Sequence, residues 1–176
     1  VLQWLPGILM SGHAFAHEPT APTCSDDPLR VVTANAWLAN IDHATLVSWL
    51  SHSDADIIAL QEITPQWASA LELLARTYPH RKLIPREDPY GMALLSRWPI
   101  DDVQSMDFAG DGTPSLVANV DVHGRKLQVI ALHTRWPVTP ELQAARDRAL
   151  QQAAALALTQ PEATILLGDL NLTPYA

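Results

Sequence analysis

The chain has 176 residues, of which 48% are hydrophobic and 17% charged, so it can bury one substantial core, and nothing in this composition indicates disorder. Its formal charge of −8, from 11 basic and 19 acidic residues, argues against a protein that captures DNA by bulk electrostatics. The single cysteine, Cys24, excludes an intrachain disulfide.

Residues 1–28 are predicted to be an apolar leader followed by a proline-rich linker. The apolar stretch 1–10 is too short to span a bilayer, which needs roughly 20 residues. It is either the end of a membrane helix, which would tether the protein, or a docked or disordered leader. The folded domain is expected to start near Leu29, so that 29–176 form a single domain.

The first half of the domain is predicted to contain two strands, each followed by a helix. The apolar runs 30–35 and 56–62 have the length and composition of buried strands. The helices are expected to run from a cap at Asp42 to about Ser51, and from a cap at Thr64, with Pro65 in the first turn, to about Tyr78.

The second half is predicted to contain strands, then one long helix and a last strand. The candidate strands are 81–84, 92–96, 103–108, 115–122 and 126–133, with His123-Gly124 as a hairpin turn. An alanine-rich helix, with Arg146 and Arg148 beside Asp147, is expected from Thr139-Pro140 to about Thr159 and should have a packed and a solvated face, and a strand is expected over 163–167. The mixture favours two packed sheets flanked by helices over one parallel sheet.

Several predicted strands end in polar residues that suit a metal ion or a phosphate. These residues are Asn35, Glu62, His133, Asp169 and Asn171. Because ligands in α/β sheets gather outside the carboxyl ends of strands, the five side chains are expected to converge on one site.

The chemistry of these side chains indicates metal-assisted reactions of phosphate esters. The carboxylates of Glu62 and Asp169 are hard oxygen ligands that suit Mg²⁺ or Mn²⁺. Asn35 can coordinate the ion or hydrogen-bond a phosphate, and His133 can donate to a non-bridging oxygen or protonate a leaving group. The sequence has no cluster with zinc spacing, no GxSxG elbow and no glycine-rich phosphate loop.

Each of these residues also has a purely structural interpretation. Glu62 could cap the helix that follows it, and Asp169 with Asn171 could form only an Asx turn. His133 could be a structural histidine bonded to a backbone carbonyl, and Asn35 could be a turn residue.

Five short motifs follow one another along the chain. They are Thr33-Ala-Asn35, Leu60-Gln-Glu62, the run 90–100 (YGMALLSRWPI), Leu132-His133 and Gly168-Asp-Leu-Asn171. In this order they resemble the endonuclease/exonuclease/phosphatase superfamily, which includes DNase I-like nucleases, repair nucleases, sphingomyelinases and inositol-polyphosphate phosphatases. The resemblance covers about residues 29–175. It implies a four-layered α/β sandwich that hydrolyses phosphodiesters or phosphomonoesters with Mg²⁺.

The resemblance also implies a role for each site residue. Glu62, with Asn35 and Asp169, would bind the metal ion, and Asp169 would orient or deprotonate the attacking water. The phosphate would be contacted by Asn35, His133 and Asn171, and Tyr90 is a further candidate for the phosphate side.

Two departures from the family pattern bear on function. The family's last motif, an aspartate-histidine pair, would follow Ala176, so the chain is expected to be a fragment of a longer enzyme and weakly active or inactive by itself. Repair nucleases of the family usually carry a lysine soon after the Gln-Glu pair. Residues 63–67 (ITPQW) follow the pair here, and this sequence is more similar to those of the lipid-phosphodiesterase and uncharacterised bacterial branches.

The sequence therefore predicts a Mg²⁺-dependent phosphodiesterase that acts on a lipid-linked or small phosphodiester and associates with a membrane. The alternatives are a DNase-like nuclease, a soluble rather than membrane-associated protein, and a non-catalytic fragment. The oligomeric state stays open.

Overall fold

A computed structural model of the chain describes residues 28–159 and 163–172. The predicted leader, nearly all of the linker and Cys24 lie outside these residues, and so does the predicted membrane tether. Among the helices in the described ranges, none is both long enough and apolar enough to cross a bilayer.

Strands and helices alternate at first, then five strands follow in succession, and one helix and one strand complete the described chain. The strands are β1 (Val31–Asn35), β2 (Ile57–Gln61), β3 (His80–Ile84), β4 (Met92–Ser96), β5 (Ile100–Met106), β6 (Ser115–Val122), β7 (Arg125–His133) and β8 (Ala163–Asp169). The helices are α1 (His43–Ser51), α2 (Pro65–Leu71) and α3 (Pro140–Thr159), and Glu72–Leu74 form a 3₁₀ turn after α2.

The strands form two mixed sheets. Sheet A has the order β1-β2-β4-β3, and sheet B has the order β5-β6-β7-β8. Each sheet contains one parallel pair, β1 with β2 in sheet A and β7 with β8 in sheet B, while the other neighbours are antiparallel. The carboxyl ends of each parallel pair therefore lie at one edge of their sheet.

The side chains of β2 alternate between two cores, as the pleat of a strand requires. Ile58 and Leu60 pack with residues of α1 and α2, whereas Ile57 and Ala59 pack between the two sheets. In sheet B, Ile130 of β7 belongs to a third core beneath α3. The layers are thus α1 with α2, sheet A, sheet B and α3, which confirms the predicted four-layer sandwich.

Both predicted helix caps are present, at the N-termini of α1 and α2. The Asp42 side chain accepts a hydrogen bond from the Thr45 N–H at 3.2 Å, and the Thr64 hydroxyl oxygen accepts one from the Trp67 N–H at 3.2 Å. These bonds satisfy amide groups that have no partner inside the first helical turn.

Helix α2 and strand β5 differ from the predicted boundaries. Helix α2 ends at Leu71 instead of near Tyr78, because the fully buried Tyr78 packs in the core of α1, where its hydroxyl donates to the Leu50 carbonyl at 3.4 Å. Strand β5 starts earlier than predicted, at Ile100, since its backbone pairs with Val120 across a register irregularity.

Gly168 lies where β8 passes closest to β7. Its φ is +138°, and a Cβ atom at this position would lie 1.8 Å from the carbonyl oxygen of Leu132. Both the backbone conformation and the available space therefore require glycine at the residue before Asp169.

We predict that Gly168→Ala destabilises the domain more than Gly124→Ala does. Gly124 has a φ of +78° in the hairpin turn, but nothing lies within 4 Å of a Cβ built there. Overpacking at Gly168 should add about 1 to 3 kcal/mol to the strain that a positive φ imposes at both positions. Urea denaturation of the two variants measures the difference, and equal losses would contradict the close approach of β8 to β7.

Candidate active site at the carboxyl ends of the strands

The side-chain amide of Asn35 joins carboxylates that come from the two sheets. Its Nδ2 donates to Glu62 Oε1 at 2.7 Å and to Asp169 Oδ2 at 3.1 Å. Its Oδ1 accepts from the backbone N–H of Trp37 at 2.9 Å, and this contact determines the orientation of the amide because a backbone N–H can only donate. The ends of β1, β2 and β8 thus meet at one point.

This orientation bears on the two roles that the sequence allows for Asn35. The amide presents hydrogens to the carboxylates, and an amide nitrogen is not a metal ligand. Turning Oδ1 toward the carboxylates would break the bond to Trp37 and place three oxygen acceptors together. The geometry therefore favours hydrogen bonding by Asn35 over metal ligation.

Glu62 follows β2 directly and has a left-handed backbone, with a φ of 62°. Its Oε2 accepts from the Leu38 N–H at 2.8 Å, while its Oε1 accepts from Asn35. The cap of helix α2 is Thr64 instead, so the structural interpretation of Glu62 as a helix cap is wrong.

Asp169 and Asn171 form an Asx turn after β8. The Asn171 N–H donates to Asp169 Oδ1 at 3.1 Å, and Asn171, with a φ of 46°, donates its Nδ2 to the Thr134 carbonyl at 2.7 Å. Asp169 Oδ2 remains directed at Asn35. Asp169 and Asn171 therefore form the Asx turn and also lie among the converging polar groups. The turn orients the carboxylate of Asp169.

His133 is buried beside these groups at the end of β7, with 5% of its surface exposed. Its Nε2 lies 3.8 Å from Asp169 Oδ2, and no described group forms a hydrogen bond of normal geometry with its Nδ1. Burial lowers the pKa of His133 below its usual value, although the charges of Asp169 and Glu62 and the carbonyl of Pro89 oppose this effect. The imidazole is therefore neutral near pH 7.

Tyr90 lies against His133, with ring centroids 5.3 Å apart. The guanidinium of Arg135 lies 4.2 Å from the Tyr90 ring centroid, and its Nε donates to Asp111 Oδ2 at 3.0 Å. Stacking of this kind holds a ring in place and leaves a cation close to it. Tyr90 thus reaches the site, and its contact with a phosphate remains a prediction.

Exposed apolar side chains lie on the loops that follow the strands of the site, and we call this set the apolar rim. We define it as Trp37, Ile41, Trp136, Val138 and Leu172, whose exposed fractions lie between 52% and 93%. These are five of the eight large exposed hydrophobic side chains among the described residues, and all five lie on the loops that follow β1, β7 and β8. Because the ends of β1, β7 and β8 lie together, these loops start beside the site, and exposed apolar side chains on them favour contact with an apolar partner.

Arg146 of α3 is buried, although its charge and its charged neighbours favour a solvated face. Only 5% of the residue is exposed. Its Nη1 donates to the Asn171 carbonyl at 3.2 Å and its Nε donates to Asp147 Oδ1 at 2.9 Å. The burial of Arg146 depends on the turn after β8, which helical periodicity does not reveal.

The donor atoms of the site fit a divalent ion that is held partly by water. Within 28–159 and 163–172, no three His, Cys, Asp or Glu side chains are placed to hold a metal ion by themselves. Glu62 and Asp169 nevertheless approach the same amide nitrogen, so two carboxylates lie close together. Mg²⁺ is commonly held by one or two carboxylates and several waters, and this pair fits that requirement.

The motifs and the fold agree with comparisons to known proteins. The model of the Endonuclease/Exonuclease/phosphatase family matches residues 32–175. The chain belongs to this family. The resemblance seen in the five motifs is thereby confirmed.

Three solved structures of similar fold illustrate the range of relatives. Humanized TDP2 from D. rerio has a TM-score of 0.70 at 22% identity, covering 83% of this chain and 63% of that one. Sphingomyelinase C from Streptomyces griseocarneus has a TM-score of 0.68 at 20% identity, covering 84% and 66%. A β-hairpin deletion mutant of β toxin from Staphylococcus aureus has a TM-score of 0.67 at 15% identity, covering 86% and 70%.

At these identities the likeness shows the fold alone. The chain covers 63% of the length of the D. rerio TDP2 chain, which is less than two thirds. Among curated proteins, none matches the chain significantly.

We predict that His133 makes the metal-free protein less stable as the pH falls. The unfolded chain binds a proton on this residue near pH 6.5, whereas the folded state holds the imidazole neutral to lower pH. The free energy of unfolding should therefore decline as the pH drops from 6.5 toward the folded pKa. Urea denaturation in EDTA at several pH values should show a weaker decline in His133→Asn.

The matched control is His52→Asn, because His52 is exposed at the end of α1. This variant should keep the pH dependence of the parent chain. An unchanged decline in His133→Asn would show that the folded state accepts a proton on His133 as readily as the unfolded state does.

Proposed function

We propose that the chain forms the catalytic domain of a Mg²⁺- or Mn²⁺-dependent phosphodiesterase. The observation that carries the proposal is the convergence of Glu62 and Asp169 on the amide of Asn35, beside the buried His133. Membership of the endonuclease/exonuclease/phosphatase family supports a phosphate ester as the substrate.

Glu62 and Asp169 are the side chains that would hold the ion. When bound, the ion would polarise a phosphoryl oxygen and offset the charge that develops during attack by water. Asn35 keeps the two carboxylates together by donating to both of them. Its place in the proposal is therefore that of a hydrogen-bond donor to the two carboxylates, which take both hydrogens of its amide nitrogen.

The remaining groups act on the water and on the phosphate. Asp169, oriented by the Asx turn, positions the water and accepts its proton as the new bond to phosphorus forms and the bond from phosphorus to the leaving oxygen breaks. The leaving oxygen takes its proton from solvent water. Neutral His133 donates a ring N–H to a non-bridging oxygen. The amide nitrogen of Asn171 carries two hydrogens, of which the Thr134 carbonyl takes one, so the second can hold the phosphate.

We predict that Glu62→Gln abolishes binding of the divalent ion. The amide keeps the size of the side chain but removes the negative charge that the ion requires. Isothermal titration with Mn²⁺ should show loss of binding, and Mg²⁺-dependent hydrolysis of bis-p-nitrophenyl phosphate should fall by at least about 100-fold.

Glu72→Gln is the control for this experiment. Glu72 lies in the 3₁₀ turn after α2 and pairs with Arg81 at 3.1 Å, away from the ends of β2 and β8. It should bind Mn²⁺ like the parent chain. Full Mn²⁺ affinity in Glu62→Gln would remove Glu62 from the metal site.

The apolar rim supports a substrate with an apolar part, such as a lipid-linked phosphodiester. Tryptophan side chains favour the boundary between water and lipid, and two of the five rim residues are Trp37 and Trp136. The net charge of −8 is unfavourable for a polyanionic substrate.

A nuclease is the second candidate. A structure of D. rerio TDP2 complexed with a single-strand DNA product is among the solved structures of similar fold. A nuclease would have to overcome the net negative charge of this chain through the ion and local arginines such as Arg135.

We predict that Trp37→Ala combined with Trp136→Ala slows hydrolysis of sphingomyelin in phosphatidylcholine vesicles by about tenfold or more, since each exposed tryptophan loses apolar contact with lipid. Hydrolysis of soluble bis-p-nitrophenyl phosphate should change far less. Trp49→Ala is the control, because Trp49 is exposed on α1 outside the rim. Faster cleavage of single-stranded DNA than of lipid, with a steep dependence on salt, would favour the nuclease.

A further inference from the structure

Arg146 is a buried arginine that faces the turn after β8. A buried guanidinium persists only where its charge and donors are satisfied. Its Nε and Nη2 both contact Asp147 Oδ1, at 2.9 Å and 2.8 Å, and its Nη1 donates to the Asn171 carbonyl at 3.2 Å. Arg146 can therefore pair with Asp147 through Nε and Nη2 while its Nη1 donates a charged hydrogen bond to the backbone of the Asx turn.

Asn171 is held by three hydrogen bonds from three different elements. Its N–H donates to Asp169 Oδ1, its Nδ2 donates to the Thr134 carbonyl, and its own carbonyl accepts from Arg146. Asn171 also has a left-handed backbone, with a φ of 46°, which such contacts stabilise. The carboxylate of Asp169 is oriented through the first of these bonds.

We infer that Arg146 is a positioning residue, which orients Asp169 and Asn171 by holding the carbonyl of Asn171 from helix α3. Its guanidinium contacts the backbone of the turn and acts on the phosphate only through the two side chains that it positions. The predicted effect on catalysis rests on the proposed function, whereas the effect on the turn does not.

The role in positioning can be separated from a role in stability. Replacing a buried ion pair by an apolar side chain of similar volume is often neutral for stability or raises it. Arg146→Met keeps an unbranched side chain in the buried space but removes the donor to Asn171. Asp147 is half-exposed, so water can solvate its carboxylate in this variant. Arg146→Lys keeps one charged donor and should restore part of any loss.

The test compares the parent chain with Arg146→Met, Arg146→Lys and the control Arg148→Met. Arg148 is an exposed arginine of the same helix, whose Nε donates to the Ala109 carbonyl at 3.3 Å. With Mg²⁺ and bis-p-nitrophenyl phosphate, kcat of Arg146→Met should fall by about 10- to 100-fold, and the Mn²⁺ affinity from titration should fall with it because Asp169 is a proposed ligand, while the free energy of unfolding in urea stays close to the parent value. Arg146→Lys should recover part of kcat, and Arg148→Met should keep all of it.

A parental kcat in a folded Arg146→Met would overturn the inference. So would a loss of kcat that comes with a matching loss of the free energy of unfolding in urea, because that would indicate general damage to the fold.

A second readout covers the case in which the parent chain shows no Mg²⁺-dependent hydrolysis, which would contradict the proposed function. Hydrogen exchange of the Asn171 amide should be about tenfold faster in Arg146→Met, because loss of one charged hydrogen bond frees the turn. It should be unchanged in Arg148→Met. Equal exchange rates in the parent and Arg146→Met would overturn the inference whatever the activity.

Discussion

The two hydrogen bonds from the Asn35 amide to Glu62 and Asp169 are the contact on which the site depends, because they join sheet A to sheet B at their carboxyl edges. Two carboxylates that approach each other repel, and the amide hydrogens between them offset part of that repulsion. The N–H of Trp37 holds the amide in this orientation. The site is therefore organised by neutral donors at the place where a cation is proposed to act.

The fold supplies this contact through its parallel strand pairs. Strands β1 and β8 lie beside β2 and β7, so the residues that follow or end these strands meet at one edge. Gly168 allows β8 to approach β7 closely enough to direct Asp169 toward Asn35. Helix α3 contacts the same turn through Arg146. Sheet B and the helix packed on it therefore both contribute to the placement of Asp169.

The sequence predicted the parts of the structure that depend on local patterns. The caps at Asp42 and Thr64, the strand over residues 92–96 and the turn at His123-Gly124 all follow from neighbouring residue types. The convergence of polar residues at strand ends followed from the rule for α/β sheets. The family assignment came from the order of the motifs.

The remaining features depend on contacts between residues far apart in the chain. Tyr78 ends α2 early because it packs against Leu50, and Arg146 is buried because Asn171 accepts its hydrogen bond. Arg146 shares a face of α3 with the buried Ala149 and Ala153, but its charge and its charged neighbours Asp147 and Arg148 indicated a solvated face. The orientation of the Asn35 amide likewise depends on a backbone N–H in the following loop.

Three residues at the site, Trp37, Glu62 and Asn171, have positive φ although none is glycine. Such conformations are unfavourable for most side chains, so a glycine at Glu62 would relieve backbone strain while deleting the carboxylate. Selection for thermal stability alone would therefore favour such a glycine, which gives a more stable domain that lacks the Glu62 carboxylate. Engineering of this protein for robustness should leave these three positions untouched and seek its gains on the outer faces of the helices.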